Sequence, residues 1–560
     1  MEGAKHAVTT DLETMRAAHA GRALPRTMMD VPLGVTQILV RCERLFPDVE
    51  VVCRKGPATI ERTTYREVAT TARRLATALR ALDLPDGARV ATLMWNHAEH
   101  LAAFHATPAI DAVLHPLNPR LSAEELAYIV ADAGDSVLLV DEDLLPLWDQ
   151  AAQLVRIPHV IVNGDGALAQ ASGRPRWSTV VAAAEPMSTW PTETRDENAA
   201  ISVCYTSGTT GRPKGVVCTH RSVLLHGLAS ATPDALALSG RDTLLLLTPM
   251  FHVNGWSMPY TAPMFGTTLV LPGARITSAE VLDLMVGERV TAAFGVPTFW
   301  NDVLAAIDRE PQRWALAPGT RLYVGGAPPP AELFRRFDRL GVYVQTGWGM
   351  TETSPLGSQT WIQRKHDALD AEARVTLRAS NGLPLPFIDM RHVDDAGNVL
   401  PWDSQSRGEL QVRGPWVTGS YVGWPEPLSA TSADGWLRTG DIVTIAPDGY
   451  IQLVDRLKDL VKSGGEWISS VEIENRLVEH PGVFEAAVIA TPDPRWGERP
   501  LAVVATRPGA EVDADALRAH LEARVPKWMV PDEVVFVDAL PKTGVGKLDK
   551  VALRKRFGGG

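Results

Sequence analysis

Between Ile201 and Gly215 an apolar run leads into YTSGTTGRPKG (Tyr205–Gly215). Hydroxyls at Thr206, Ser207, Thr209 and Thr210, glycines at 208, 211 and 215, and the ammonium of Lys214 are packed into one turn. Glycines let backbone N–H groups curl round an anion, hydroxyls donate further bonds, and lysine adds a point charge. A polyphosphate needs such a cradle. A P-loop requires GxxxxGK[ST]. Here Lys214 follows Pro213 and precedes Gly215, which excludes it. A plain surface turn is the remaining alternative, and the particular order of hydroxyls, glycines, proline and lysine argues against it. A second glycine turn bearing lysines, PKTGVGKLDK, carries Lys547 between Lys542 and Lys550.

The elements around these turns alternate. TYREVATTARRLATALRAL reads as a helix with an Ala/Leu face, ARVATLMW as a strand, EELAYIVADAG as a helix and SVLLVDE as a strand. The rhythm resumes at ISVCYT and RSVLLHGLAS and continues to VYVQTGWG, which predicts an α/β fold with mainly parallel sheets. After Asn381 shorter strands and Gly/Pro/Asp turns predict a β-rich subdomain. Beyond Asp455 a short α+β pattern follows, so the division falls at 1–456 and 457–560. The expected architecture is α/β: two parallel-sheet subdomains and a β-rich one, with a small mobile α+β C-terminal domain.

A chain of 560 residues is too long for one compact core. A net charge of -11 argues against nucleic acid as a partner, because such binding usually shows as a basic stripe. Cys42, Cys53, Cys204 and Cys218 are scattered without metal spacing, and the N-terminus lacks an apolar signal region. Leu244–Leu271 is apolar, but Pro249, His252, Asn254, Pro259 and Pro263 interrupt it, so no integral membrane segment is expected. These features point to the cytoplasm.

Further segments fall in a fixed order: GGA (Gly325–Ala327), TGWGMTE (Thr346–Glu352), RTGD (Arg438–Asp441), DRLKDLVKSGGEWIS (Asp455–Ser469) and PKTGVGK (Pro541–Lys547). With the first turn, they make the chain resemble the adenylate-forming superfamily of acyl-CoA synthetases, adenylation domains and luciferases, from about Thr27 to Phe557. The resemblance implies ATP, Mg2+ and CoA, and a two-step reaction. A carboxylate attacks the α-phosphate to give acyl-AMP and pyrophosphate, and a thiol then takes the acyl group.

By that resemblance Thr206, Ser207, Gly208, Thr209, Thr210, Gly211 and Lys214 hold the polyphosphate. Thr351 touches the α-phosphate, and Glu352, with Thr206, binds the metal. Gly325, Gly326, Ala327, Thr346, Gly347, Trp348 and Gly349 surround the adenine. Asp441 and Arg456 contact the ribose hydroxyls. Lys547 reaches the substrate carboxylate and α-phosphate. Lys458 is the hinge, and Lys462 faces the site after rotation. His252, in PMFHVNGW, walls the nucleotide from the acyl pocket, with Val253, Trp256 and Thr298 as further lining. For His252, Val253, Trp256 and Thr298 ordinary core packing is the competing explanation.

MFHVNGW, GPWVTGSY, KSGGEWISSVEIEN and RWGERPLAVV resemble bacterial medium- and long-chain fatty acyl-CoA synthetases. Trp348 stands where tyrosine is commoner, and Thr346 where an amide or acid is frequent. The leading expectation is a fatty acid–CoA ligase. A CoA ligase for an aryl or other small acid is the second. The third is an adenylating enzyme with a non-CoA second step, such as loading a carrier-protein thiol or activating nitrite for attack by an amine. A silent binding protein is expected to have lost Lys547, Glu352 or the phosphate turn, and all are present. A small-molecule acid and CoA are thus the implied partners, and relatives of this subgroup point to a homodimer.

Overall fold

The computed structural model describes residues 14, 28–57, 59–194, 196–206, 212–423, 431–464, 466–543 and 547–558. Contacts divide the chain into Met1–Pro32 and Leu33–Gly560, and every sheet lies in the second unit. The helical pattern that begins at Thr63 is realised as Tyr65–Arg80. The Thr64 side chain accepts from the Glu67 N–H while the Glu67 carboxylate accepts from the Thr64 N–H at 2.9 Å, a reciprocal cap that fixes where the helix starts. Its Ala/Leu face is buried.

That helix shares its core with a six-stranded sheet in the order His159–Asn163, Asp135–Asp141, Arg89–Leu93, Val113–Pro116, Ala200–Tyr205, Gly215–Thr219. Its pairings are parallel except for the last, an antiparallel pair whose strands are linked by residues 206–214. A nine-stranded sheet stands beside it, parallel through its middle (Tyr343–Gly349, Arg321–Val324, Ala292–Gly295, Thr243–Leu245, Thr268–Leu271, Glu50–Gly56). Antiparallel strands close both edges. The Glu50–Gly56 and Thr59–Thr64 strands lie ahead of the alternating pattern read from the sequence and belong to this sheet.

The apolar stretch Leu244–Leu271 resolves into the end of one strand, the helix Met258–Phe265 and the strand Thr268–Leu271. Among the described residues no helix is long and apolar enough to cross a membrane. After Asn381 four antiparallel strands follow (Asp389–Val393, Gly408–Arg413, Leu437–Ile445, Ile451–Arg456). From Val461 onward a five-stranded sheet carries the helices Ser470–Val478, Ala514–Glu522 and Lys550–Phe557. This is the α/β architecture with a separate α+β end that the sequence pattern implies.

Candidate active site

Strand Tyr343–Gly349 and the turn after it bring most of the candidate residues together. The Trp348 indole is buried, and its Nε1 donates to Asp441 Oδ2 at 2.7 Å. Asp441 lies on Leu437–Ile445 opposite Arg456, its register partner on Ile451–Arg456. Arg456 Nε approaches Asp441 Oδ1 to 3.0 Å, yet Oδ1 lacks an aligned hydrogen-bond donor. The Asp441 carboxylate holds the Arg456 guanidinium above its ordinary pKa. A buried carboxylate oxygen without an aligned donor keeps spare acceptor capacity.

Two glycines at the end of Arg321–Val324 sit where side chains from elsewhere arrive. A Cβ added at Gly326 would lie 3.0 Å from Lys547 Cε and 3.7 Å from its Nζ. A Cβ at Gly325 would meet the Trp256 ring at 2.9 Å. The Lys547 ammonium, from the C-terminal lysine turn, is therefore inside the site. Burial and the neighbouring Arg456 charge bring it down to about 8, and Asp441 works in the opposite direction. Ala327 is exposed beside them.

Glu352 is buried in the short 3-10 turn Thr351–Thr353, where Thr351 is half-buried. Its Oε1 accepts from the Tyr421 hydroxyl at 2.7 Å. At the mouth of the phosphate turn the Thr206 N–H donates to the Lys214 carbonyl at 2.9 Å, and the Lys214 N–H donates to Thr206 Oγ1 at 3.1 Å. Lys214 Nζ stands 5.0 Å from the Tyr421 ring centroid. Ser207, Gly208, Thr209, Thr210 and Gly211 lie outside the described residues. Among the described residues no three His, Cys, Asp or Glu side chains cluster as a metal cage. A buried carboxylate beside a phosphate turn fits magnesium instead, which takes one or two carboxylates together with substrate phosphates.

His252 precedes five consecutive left-handed residues: Val253, Asn254, Gly255, Trp256 and Ser257, with φ of 40, 46, 62, 56 and 59°. Outside glycine this conformation costs about 1–2 kcal/mol per residue, so the surroundings must impose it. Asn254 Nδ2 donates to Ser202 Oγ and reaches Cys218 Sγ at 3.9 Å, and Ser257 Oγ donates to the Ser354 carbonyl at 3.2 Å. Asn96 holds the approach to the turn. Its Nδ2 donates to the carbonyls of Leu246 and Thr248, each at 2.9 Å, and its Oδ1 accepts from the Met250 N–H at 2.8 Å. Beside this turn Trp256 meets Phe294 edge-on at 5.2 Å and Phe294 stacks on Tyr323 at 5.1 Å, with Phe294 and Tyr323 buried in the core. Burial, with the charges of Lys547 and Arg120, brings the His252 imidazole down to about 3, so the ring is neutral. Val253 is buried, and Thr298 is half-buried in the first turn of Pro297–Arg309.

The remaining expected residues have these surroundings. The Thr346 hydroxyl is committed to the carbonyls of Arg378 (2.6 Å) and Ser380, and Thr346 is buried. Gly347 and Gly349 are demanded by packing: a Cβ at Gly349 would lie 1.9 Å from the Pro355 carbonyl oxygen, and one at Gly347 2.6 Å from Gln359 Oε1. Lys462 is exposed, with Nζ 5.9 Å from the Trp467 ring centroid. Lys458 has an exposed side chain whose partial desolvation, with the Arg456 and Arg554 charges, lowers its pKa against the pull of Asp459. Tyr421, Arg120 and Asn96 are site neighbours that sequence reasoning does not single out. Only Tyr421 carried a signal, as the last residue of GPWVTGSY.

The family pattern described as AMP-binding enzyme matches residues 41–422, and that of the AMP-binding enzyme C-terminal domain matches residues 472–547. The long-chain-fatty-acid–CoA ligase of Thermus thermophilus is 45% identical over 96% of this chain and 97% of its own. The 3-methylmercaptopropionyl-CoA ligase of Ruegeria pomeroyi is 40% identical over 95% of this chain and 98% of its own. Among solved structures, the anthranilate CoA ligase AuaEII in complex with anthranoyl-AMP superposes with a TM-score of 0.82 at 25% identity, covering 94% of this chain and 98% of that one. The chain belongs to the adenylate-forming family of AMP-binding enzymes, as an acid–thiol ligase of the acyl-CoA synthetase type.

Proposed function

We propose that this enzyme activates an aliphatic fatty acid of medium or long chain with ATP and transfers the acyl group to CoA. The position of Lys547 carries the reading. A lysine from the last turn of the chain shares one site with Gly326, Asp441 and Arg456. An acid oxygen attacks the α-phosphorus, the bond from that phosphorus to the β-bridging oxygen breaks, and pyrophosphate leaves. Lys547 offsets the charge that develops between carboxylate and α-phosphate. Asp441 and Arg456 fix the ribose, and Trp348 orients Asp441. Neutral His252 separates the nucleotide from the acid without adding charge to the acyl pocket. Magnesium, when bound, neutralises phosphate charge, and Glu352 with Thr206 would hold it.

In the second step the CoA sulfur adds to the acyl carbon and AMP leaves. We take 1–456 as the body and 457–560 as the part that turns about Lys458, bringing Lys462 round. The break between Arg456 and Val461, where one sheet ends and the next begins, supports that division. The half-buried Trp256 ring and the 45% identity to a long-chain ligase support an apolar acid. A smaller acid is the second reading, favoured by the Trp256 ring filling the space beside Gly325. Four buried free cysteines suit a reducing compartment, and we place the enzyme in the cytoplasm.

The test is a panel of acids of different length and shape with ATP, Mg2+ and CoA, following AMP and thioester by mass spectrometry. We expect both products with fatty acids of medium or long chain. Turnover confined to aryl or short acids would move the assignment to the second reading. AMP formed with an acid but never a CoA thioester would instead indicate a different acceptor.

A further inference from the structure

The segment after Gly-Pro in GPWVTGSY is stitched to both halves of the nucleotide site. Trp416 Nε1 donates to the Leu356 carbonyl at 3.0 Å, and Ser354 Oγ donates to the Trp416 carbonyl at 3.0 Å. The Thr418 N–H donates to the Glu352 carbonyl at 2.8 Å. The Val422 N–H donates to the carbonyl of Gly215, the residue after Lys214, at 2.9 Å. There is little slack at the last contact, since a Cβ on Gly215 would lie 2.9 Å from Val422 Cγ2 and 3.1 Å from Tyr205 Cζ. Tyr421 sits between these anchors. Its hydroxyl donates to Glu352 Oε1 at 2.7 Å, and its ring lies under the Lys214 ammonium at 5.0 Å.

We propose that Tyr421 is a positioning residue that sets the Glu352 carboxylate and the Lys214 ammonium at a fixed separation for a magnesium–triphosphate. The inference rests on the adenylating function proposed for this site. A phenol that occupies one carboxylate oxygen stops the Glu352 side chain from rotating and leaves its second oxygen for a hard cation. The face of the same ring attracts the lysine through its quadrupole, which holds a long flexible side chain at the mouth of the phosphate turn. The backbone stitches at Glu352 and Gly215 prevent the ring from drifting with either partner. One side chain thereby relates two groups that are 138 residues apart in sequence (352 − 214).

The two contacts separate by substitution. Tyr421→Phe removes the donor and keeps the ring, whereas Tyr421→Leu removes both. ATP binding is measured by calorimetry on the full chain with and without Mg2+, alongside acid-dependent AMP formation across a Mg2+ titration. For Tyr421→Phe we expect the half-saturating Mg2+ concentration to rise about 10-fold, the scale of one hydrogen bond to a charged group, with Mg2+-free ATP affinity unchanged. Tyr421→Leu should in addition weaken Mg2+-free binding by roughly 2- to 5-fold, the scale of an exposed cation–π contact. An unchanged Mg2+ requirement in a folded Tyr421→Phe protein, or an equal loss with and without Mg2+, overturns the proposal. Matching thermal unfolding of wild type and Tyr421→Phe establishes that the variant is folded. If the wild type itself forms no AMP with any acid, it is the adenylating function that has failed, not the role of Tyr421.

Discussion

The Trp348 indole N–H is bonded to Asp441 Oδ2 at 2.7 Å, so the ring orients the carboxylate that pairs with Arg456. A tyrosine at this position would carry its donor at the far end of a phenyl ring. Here the donor is on the side of the indole, and Asp441 is turned so that Oδ1 stays open next to Arg456.

Trp348→Phe keeps an aromatic surface and removes that donor. A hydrogen bond to a charged group is worth about 1.5–3 kcal/mol, so ATP affinity should fall by roughly 10- to 100-fold. KM for the acid should stay close to wild type. A larger change in the acid KM than in the ATP KM would mean that Trp348 shapes the acyl pocket instead.

Lys547 gives the adenylation step a limb on the alkaline side. Its ammonium titrates near 8, below the ordinary lysine value of 10.5, so the cation is lost as pH rises through 8. Acid-dependent pyrophosphate exchange should therefore decline above that pH in an enzyme free of bound nucleotide. Lys547→Arg should carry the decline upward, and Lys547→Ala should abolish exchange at every pH. Because the folded value is depressed, the unfolded chain binds the extra proton between 8 and 10.5, and folding stability gained at this site rises with pH across that window. Lys547→Met should accordingly unfold at a higher temperature than wild type at pH 7, with the difference shrinking by pH 10.

His252 should be silent in the same profiles. Burial brings its imidazole to about 3, so it stays neutral from pH 5 to 9. His252→Asn should change KM for the acid without moving either limb of the pH profile. An acidic limb near 6.5 in the wild type that disappears in His252→Asn would contradict this.

Lys550, three residues after Lys547, anchors the lysine turn. Its Nζ meets Glu474 Oε1 at 2.7 Å and Ser470 Oγ at 2.6 Å, and Ser470 Oγ in turn donates to Asp455 Oδ2 at 2.7 Å. Lys550→Ala takes the cation from the Glu474 carboxylate and leaves it only the Val488 N–H, a loss that costs up to about 3–5 kcal/mol. We expect earlier unfolding of the C-terminal part, read by hydrogen exchange, and a fall in adenylation rate with ATP binding retained. Exchange in Lys550→Ala that matched wild type throughout 461–558 would show that the pair contributes nothing to that part.

Much of the fold was legible because helix and strand periods alternate cleanly from Tyr65 onward, and because cap residues such as Thr64 and Glu67 mark a boundary locally. The candidate site was legible where one short segment bears several of its groups, as Trp348, Thr351 and Glu352 do. It was not legible where a contact joins distant positions. Asn96 grips residues 150 to 154 positions away, and an asparagine after a strand looks like any turn asparagine. Thr346 illustrates the opposite case. Its place in TGWGMTE points toward the adenine, yet tertiary packing directs the hydroxyl to two main-chain carbonyls.

The left-handed turn at Val253–Ser257 has a thermodynamic corollary. Asn254, which pins it, is bonded to Ser202 and lies against Cys218, and these residues sit on the two strands of the hairpin that carries the phosphate turn. Asn254 thus ties the Val253–Ser257 turn to both strands of that hairpin. Under the proposed function, a shift of that hairpin on nucleotide binding would be felt at Trp256. Linkage then requires reciprocity: the factor by which ATP tightens the acid must equal the factor by which the acid tightens ATP. Asn254→Ala, by cutting the pin, should drive both factors toward one together.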